Sequence, residues 1–111
     1  MKVAVAVGLA LTALLVPGMP AQAVTGNELL EWCQRPDLGL CYGYLLGFLD
    51  ADTLAKADGL ARIECPPFGA TASQVKDIVV KELLTIPEQR QAGAASLVAV
   101  ALYKEWPCAQ K

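Results

Sequence analysis

Four cysteines in a chain of 111 residues constrain the fold more than any other feature. A domain this small buries little apolar surface, and an even cysteine count in a short exported chain reads as a disulfide framework. Three pairings of Cys33, Cys41, Cys65 and Cys108 are open. We place Cys33–Cys41 with Cys65–Cys108 first and Cys33–Cys108 with Cys41–Cys65 second. Loop-closure entropy does not separate them, although the two bridges of the first pairing would contribute about 2.6 and about 4 kcal/mol. No C-x-x-C is present and the chain has no histidine, which weakens a redox-enzyme reading.

Export itself is read from the first 23 residues. Lys2 supplies a minimal positive start, and residues 3–16 are apolar apart from Gly8 and Thr12. Pro17, Gly18 and Pro20 then break any helix, and Ala21-Gln22-Ala23 is the small-x-small pattern of a signal-peptidase site. A spanning helix needs about 20 apolar residues, so the prolines arrive too early for a membrane anchor. The expectation is a signal peptide over residues 1–23, cleaved after Ala23. A single periplasmic domain over residues 24–111 follows, with no membrane span left.

The pattern of the remaining chain is helical. Thr25-Gly26-Asn27-Glu28 has the T-x-x-E form of a capping box and predicts a short first helix ending before Pro36. Cys41, Tyr44, Leu45, Phe48 and Leu49 fall at i, i+3, i+4, i+7 and i+8, which predicts a second helix over about residues 40–56, stopped by Asp58-Gly59. The proline-rich stretch 60–69 should cross the surface extended. Thr71-Ala72-Ser73-Gln74 opens a third helix to about Thr85 that buries Val75, Ile78, Val79 and Leu83, with Asp77 and Lys81 paired on its wet side. Residues 86–91 form a polar connection with room for one helical turn begun by Pro87. The last helix runs from near Gly93 to before Pro107. Only Ser96 is polar between Ala94 and Tyr103, so that helix is either central in the fold or covered by a second copy in a homodimer. No strand alternation occurs. The fold class is all-α, a small bundle of about four helices braced by two disulfides.

Little in the chain could carry chemistry. Without histidine the Ser-His-Asp and Cys-His arrangements and the common zinc sites are excluded, so an enzyme, a metal and a cofactor are not expected. Nine basic against 11 acidic residues, a net charge of −2, leave no basic stripe for a nucleic acid. Asp50 and Asp52 would point about 200° apart on a helix, too far to share an ion. Asp52 continues the apolar face and should bond a neighbouring donor, while Asp50 meets solvent. Glu28 and Glu31 could face each other at i, i+3. The simpler reading places both at the positive end of the first helix, with Glu28 closing its cap. Gly43 and Gly47 would let another helix approach closely. The aromatics Trp32, Tyr42, Tyr44, Phe48, Tyr103 and Trp106 mostly fall at core spacing.

One ordered set of residues remains. Cys41-Tyr42-Gly43-Tyr44, Gly47 and Asp50-Ala51 come first. Cys65-Pro66-Pro67 leads into a helix carrying Val79-Val80-Lys81, followed by Pro87-Glu88-x-Arg90. Ala94, Leu97-Val98, Ala101-Leu102 and Trp106-Pro107-Cys108 complete it. From about residue 28 to residue 108 the chain resembles the Tai family of periplasmic immunity proteins of type VI secretion, also called resistance-associated proteins. The resemblance implies a small helical, commonly dimeric inhibitor. Such a protein binds and occludes a secreted peptidoglycan amidase effector and so protects the producing cell. A protruding loop would enter the amidase groove, which asks no catalytic residue of the inhibitor.

The matching loop here spans residues 87–91, so Glu88, Gln89, Arg90 and Gln91 are the candidate partner-binding residues. The competing reading is a solvated turn in which Arg90 makes a local salt bridge. Gly93 departs from the proline that often opens the last helix of the family, which puts the rigidity of the loop in question. Two other functions compete. One is a periplasmic acid-stress chaperone, dissociating as its carboxylates protonate; the other is a different envelope interaction protein.

Overall fold

A computed structural model describes residues 22–60 and 62–109. All but the last two residues of the expected leader lie outside them. The first helix, α1 (Gly26–Cys33), starts at a complete capping box. Glu28 N donates to Thr25 Oγ1 at 3.2 Å, and Thr25 N donates back to Glu28 Oε1 at 3.2 Å. Glu31 instead pairs with Arg35 one turn on. Glu28 thus closes the cap as expected, whereas Glu31 lies past the first turn and pairs with Arg35 rather than with the positive end of the helix.

The second helix, α2 (Gly39–Ala57), begins where Asp37 Oδ1 accepts from Gly39 N at 2.9 Å. It ends in a paired carbonyl cap: Leu60 N donates to Ala55 O at 2.9 Å and Gly59 N to Lys56 O at 3.0 Å. That geometry puts Gly59 at φ +81°, a conformation glycine adopts without a Cβ penalty. The third, α3 (Ala72–Thr85), opens on the second capping box, with Thr71 N donating to Gln74 Oε1 at 2.8 Å. A single 3-10 turn, Pro87–Gln89, has Pro87 in its first turn and precedes α4 (Ala94–Glu105).

Leu29, Leu45, Val75, Val79, Leu83, Val98 and Leu102 close the core, drawn from all four helices. Trp32, Tyr44, Phe48 and Trp106 pack around it. Trp32 meets Tyr44 edge-on at 6.4 Å, and burial pushes the Tyr44 phenol above its ordinary range. The disulfides are Cys33–Cys41, joining α1 to α2, and Cys65–Cys108, joining the stretch after α2 to the segment after α4. This is the first of the two pairings. Two isolated antiparallel bridges, Thr25 with Gly93 and Glu64 with Pro107, are the only ladder contacts among the described residues, and the fold is all-α.

Three local expectations are corrected. Asp77 lies beside Lys76 Nζ at 3.3 Å rather than Lys81, while Glu82 takes Lys104 Nζ at 2.7 Å and so ties α3 to α4. Gly43 and Gly47 admit no helix: a Cβ on either would meet nothing within 4 Å. They lie away from the buried row of Cys41, Leu45 and Asp52. The last helix is not central either. Ala94, Leu97, Val98, Ala101 and Leu102 are buried, while Val100 and Tyr103 are 41% and 40% exposed, because α4 packs mainly on α3 and α1 and leaves its other face uncovered.

Among the described glycines, Gly26 is the most closely packed. A Cβ there would lie 2.5 Å from Leu97 Cδ1 and 2.9 Å from the Arg90 carbonyl oxygen. Leucine can yield but the backbone carbonyl cannot without moving the loop. Gly26→Ala is expected to destabilise the fold by about 1–3 kcal/mol, read as a lower midpoint in denaturant unfolding.

Candidate functional site

The turn over residues 87–91 is built against the start of α1. A helix leaves its first N–H groups without intrahelical partners, and here the turn supplies them. Gly26 N donates to Ala92 O at 3.0 Å and Asn27 N to Arg90 O at 2.9 Å, while Thr25 Oγ1 takes the third donor. Ala94 N returns the contact by donating to Val24 O at 2.7 Å. The chain thus crosses itself at right order and close range, with Gly26 allowing the approach. The turn closes internally as well, since Gln89 N donates to Ile86 O at 2.9 Å and Ala92 N to Gln89 O at 3.0 Å.

The four candidate partner-binding residues divide sharply. Arg90 points into the fold: its Nε donates to Asn27 Oδ1 at 3.2 Å and its Nη1 to Leu83 O at 2.9 Å. It makes no salt bridge among the described residues. The guanidinium instead caps the last turn of α3 and holds α1, which suits its fork of donors. Glu88, Gln89 and Gln91 are exposed and stand outward from that pinned frame. The arrangement offers one carboxylate and two amides on a turn held by backbone hydrogen bonds. Gly93 sits at φ −60°, ψ 132°, so the backbone already holds the φ that proline would impose. The missing proline costs the folded loop no geometry.

A second polar cluster went unseen in the sequence. Arg62 Nη2 is shared by Asp52 on α2 and Glu64 on the following segment, and the Arg62 carbon Cζ lies 5.9 Å from the Phe48 ring centroid. Asp52 is 5% exposed and Glu64 not at all. Asp52 thus meets a neighbouring donor and Asp50 is exposed, both as expected. Residues 60–69 were expected to cross the surface, yet Glu64 is buried by the bridge to Pro107, with Cys65 N donating to Trp106 O at 2.8 Å. Only the alternation Arg62-x-Glu64 hints at this. Asp52 also floors a groove of about 310 Å³ beside Lys56 and the exposed Phe68. Asp52 and Glu64 share the one Arg62 guanidinium, and through it the cluster braces the segment against α2. Among the described residues no group of three or more His, Cys, Asp or Glu is placed to hold a metal ion, and no helix is long and apolar enough to cross a membrane.

The family model of the Rap1a immunity proteins matches residues 25–108. No curated protein and no solved structure matches the chain.

Two substitutions separate the frame of the turn from its surface. Arg90→Ala leaves the Asn27 amide oxygen and the Leu83 carbonyl without these donors. It is expected to cost about 1–3 kcal/mol in thermal or denaturant unfolding, whereas Gln89→Ala stays within about 0.5 kcal/mol of the parent. Gly93→Pro is expected to stabilise by about 0.4–1 kcal/mol in the same measurement, because it restricts the unfolded chain at a backbone angle the fold already uses.

Proposed function

The chain belongs to the Rap1a immunity protein family, and on that premise we propose that it is a periplasmic inhibitor of a type VI secreted peptidoglycan amidase. It binds the effector, fills its substrate groove and protects the producing cell. The observation that carries this reading is the turn over residues 87–91. Its backbone is pinned by α1 and by Arg90, while Glu88, Gln89 and Gln91 face outward.

Inhibition by occlusion needs a projection that does not rearrange on binding, because each residue ordered at an interface subtracts from affinity. A turn whose carbonyls already cap a helix satisfies that need. Its outward carboxylate and amides can accept and donate hydrogen bonds in a groove made for a peptide substrate. Nothing in the mechanism asks the inhibitor to move a proton or form a bond. Export fits the same reading. The leader pattern of residues 1–23 would deliver the chain to an oxidising compartment, where the two disulfides form and persist. The exposed Val100 and Tyr103 of α4 are the surface that a second copy would cover in a homodimer.

The test starts from the oxidised mature protein, residues 24–111, used to capture partners from a lysate carrying the adjacent genes. A small secreted cell-wall hydrolase is the expected catch. Calorimetric titration of that hydrolase should then show binding weakened at least about tenfold, or about 1.4 kcal/mol, by Glu88→Ala with Gln89→Ala and Gln91→Ala. The melting temperature should not change. Full affinity in that triple variant would move the contact off the turn.

A further inference from the structure

The two disulfides sit in different surroundings. Cys33 and Cys41 are 5% and 0% exposed, inside the apolar core. Cys65 and Cys108 are only half-buried, and each has a feature on its own side. Lys56 Nζ lies 3.4 Å from Cys65 Sγ. Cys108 lines an open cavity of about 300 Å³ with Arg62, Ile63, Tyr103 and Ala109. We propose that Cys65–Cys108 is a thiol-exchange site, at which a dithiol attacks Cys108 Sγ and Cys65 departs as a thiolate beside the Lys56 ammonium.

Exchange depends on access to the attacked sulfur and on the stability of the departing thiolate. The cavity gives the access on the Cys108 side. The ammonium gives the stabilisation on the Cys65 side, since a cation next to a sulfur favours its thiolate. The two features lie on opposite sulfurs of one bond, and that gives the reaction a direction.

The first thiolate of the dithiol bonds to Cys108 Sγ as the bond between Cys65 and Cys108 breaks, and the bonding pair passes to Cys65 Sγ. The second thiol of the reagent loses its proton to solvent and attacks the reagent's own sulfur in the mixed disulfide. That closes the oxidised reagent and expels Cys108 as a thiolate, which takes a proton from water. The protein disulfide gains two electrons and the dithiol loses two. Opening releases the clasp between residues 62–65 and 106–108, which then rests on two backbone hydrogen bonds, Cys65 N to Trp106 O and Cys108 N to Ile63 O. The core keeps its own bridge at Cys33–Cys41.

The test exposes the native oxidised protein briefly to dithiothreitol, quenches with iodoacetamide and maps the label by peptide mass spectrometry. Cys65 and Cys108 should be alkylated while Cys33 and Cys41 remain joined. Glutathione, a monothiol, should leave its mixed disulfide on Cys108. Lys56 is exposed, so its replacement does not threaten the fold. Lys56→Met should slow opening about two- to fivefold, and Lys56→Arg, which keeps the charge, should retain the parent rate. Equal opening of both disulfides, a glutathione adduct on Cys65, or Lys56→Met reacting at the parent rate would each overturn the proposal.

Discussion

The unpaired N–H groups at the start of α1 decide how the rest of the molecule is arranged. Thr25 can satisfy one of them through its hydroxyl, and the carbonyls of Arg90 and Ala92 take two more. For those carbonyls to come within 3 Å the chain must cross α1 without a side chain between, and Gly26 meets that condition. Once the crossing is made, much else follows. Ala94 N reaches Val24 O, which fixes where α4 starts, and the Arg90 side chain lies between Asn27 and the end of α3. One backbone contact therefore sets the turn, the direction of the last helix and the closure of α3.

The far end of the molecule is held by different physics. Beyond Gly59 the described residues form no helix until Ala72, and the stretch over residues 62–65 is fastened by charge and by sulfur. Arg62 lies between two buried carboxylates, an arrangement that is costly to desolvate and more costly to break. Removing the shared Arg62 would leave both carboxylates buried without compensation, typically about 3–5 kcal/mol. The Cys65–Cys108 bridge joins the same segment to the end of α4. The core around Leu29, Leu45 and Leu102 has its own disulfide, so on our proposal the clasp can open without unfolding it.

Local chemistry made most of this fold legible in the sequence. Both T-x-x-E/Q boxes mark helix starts because the reciprocal hydrogen bonds are satisfied within four residues. The row Cys41, Leu45 and Leu49 pointed onward to Asp52 as a residue on the buried face, and Asp52 is indeed closed off. Loop entropy does not choose the disulfide pairing, since it acts on the unfolded chain and does not say which cysteines the fold brings together. What stayed hidden depends on contacts distant in sequence. Glu64 reads as a surface acid until Pro107 is brought over it. Gly43 and Gly47 read as a helix contact because spacing describes a face without saying whether anything covers it.

The candidate turn was legible as a place but not as a division of labour. Four consecutive polar residues look alike in sequence, and only the partners at Asn27 and Leu83 show that Arg90 belongs to the frame. That division bears directly on the inhibition we propose. Residues that hold the turn (Gly26, Asn27 and Arg90) act through backbone and buried atoms, so changing them changes stability first. Glu88, Gln89 and Gln91 are held in position without helping to hold the position. Their side chains can be exchanged at little cost to folding. A binding protein built this way keeps one fold while the chemistry it presents remains free to vary.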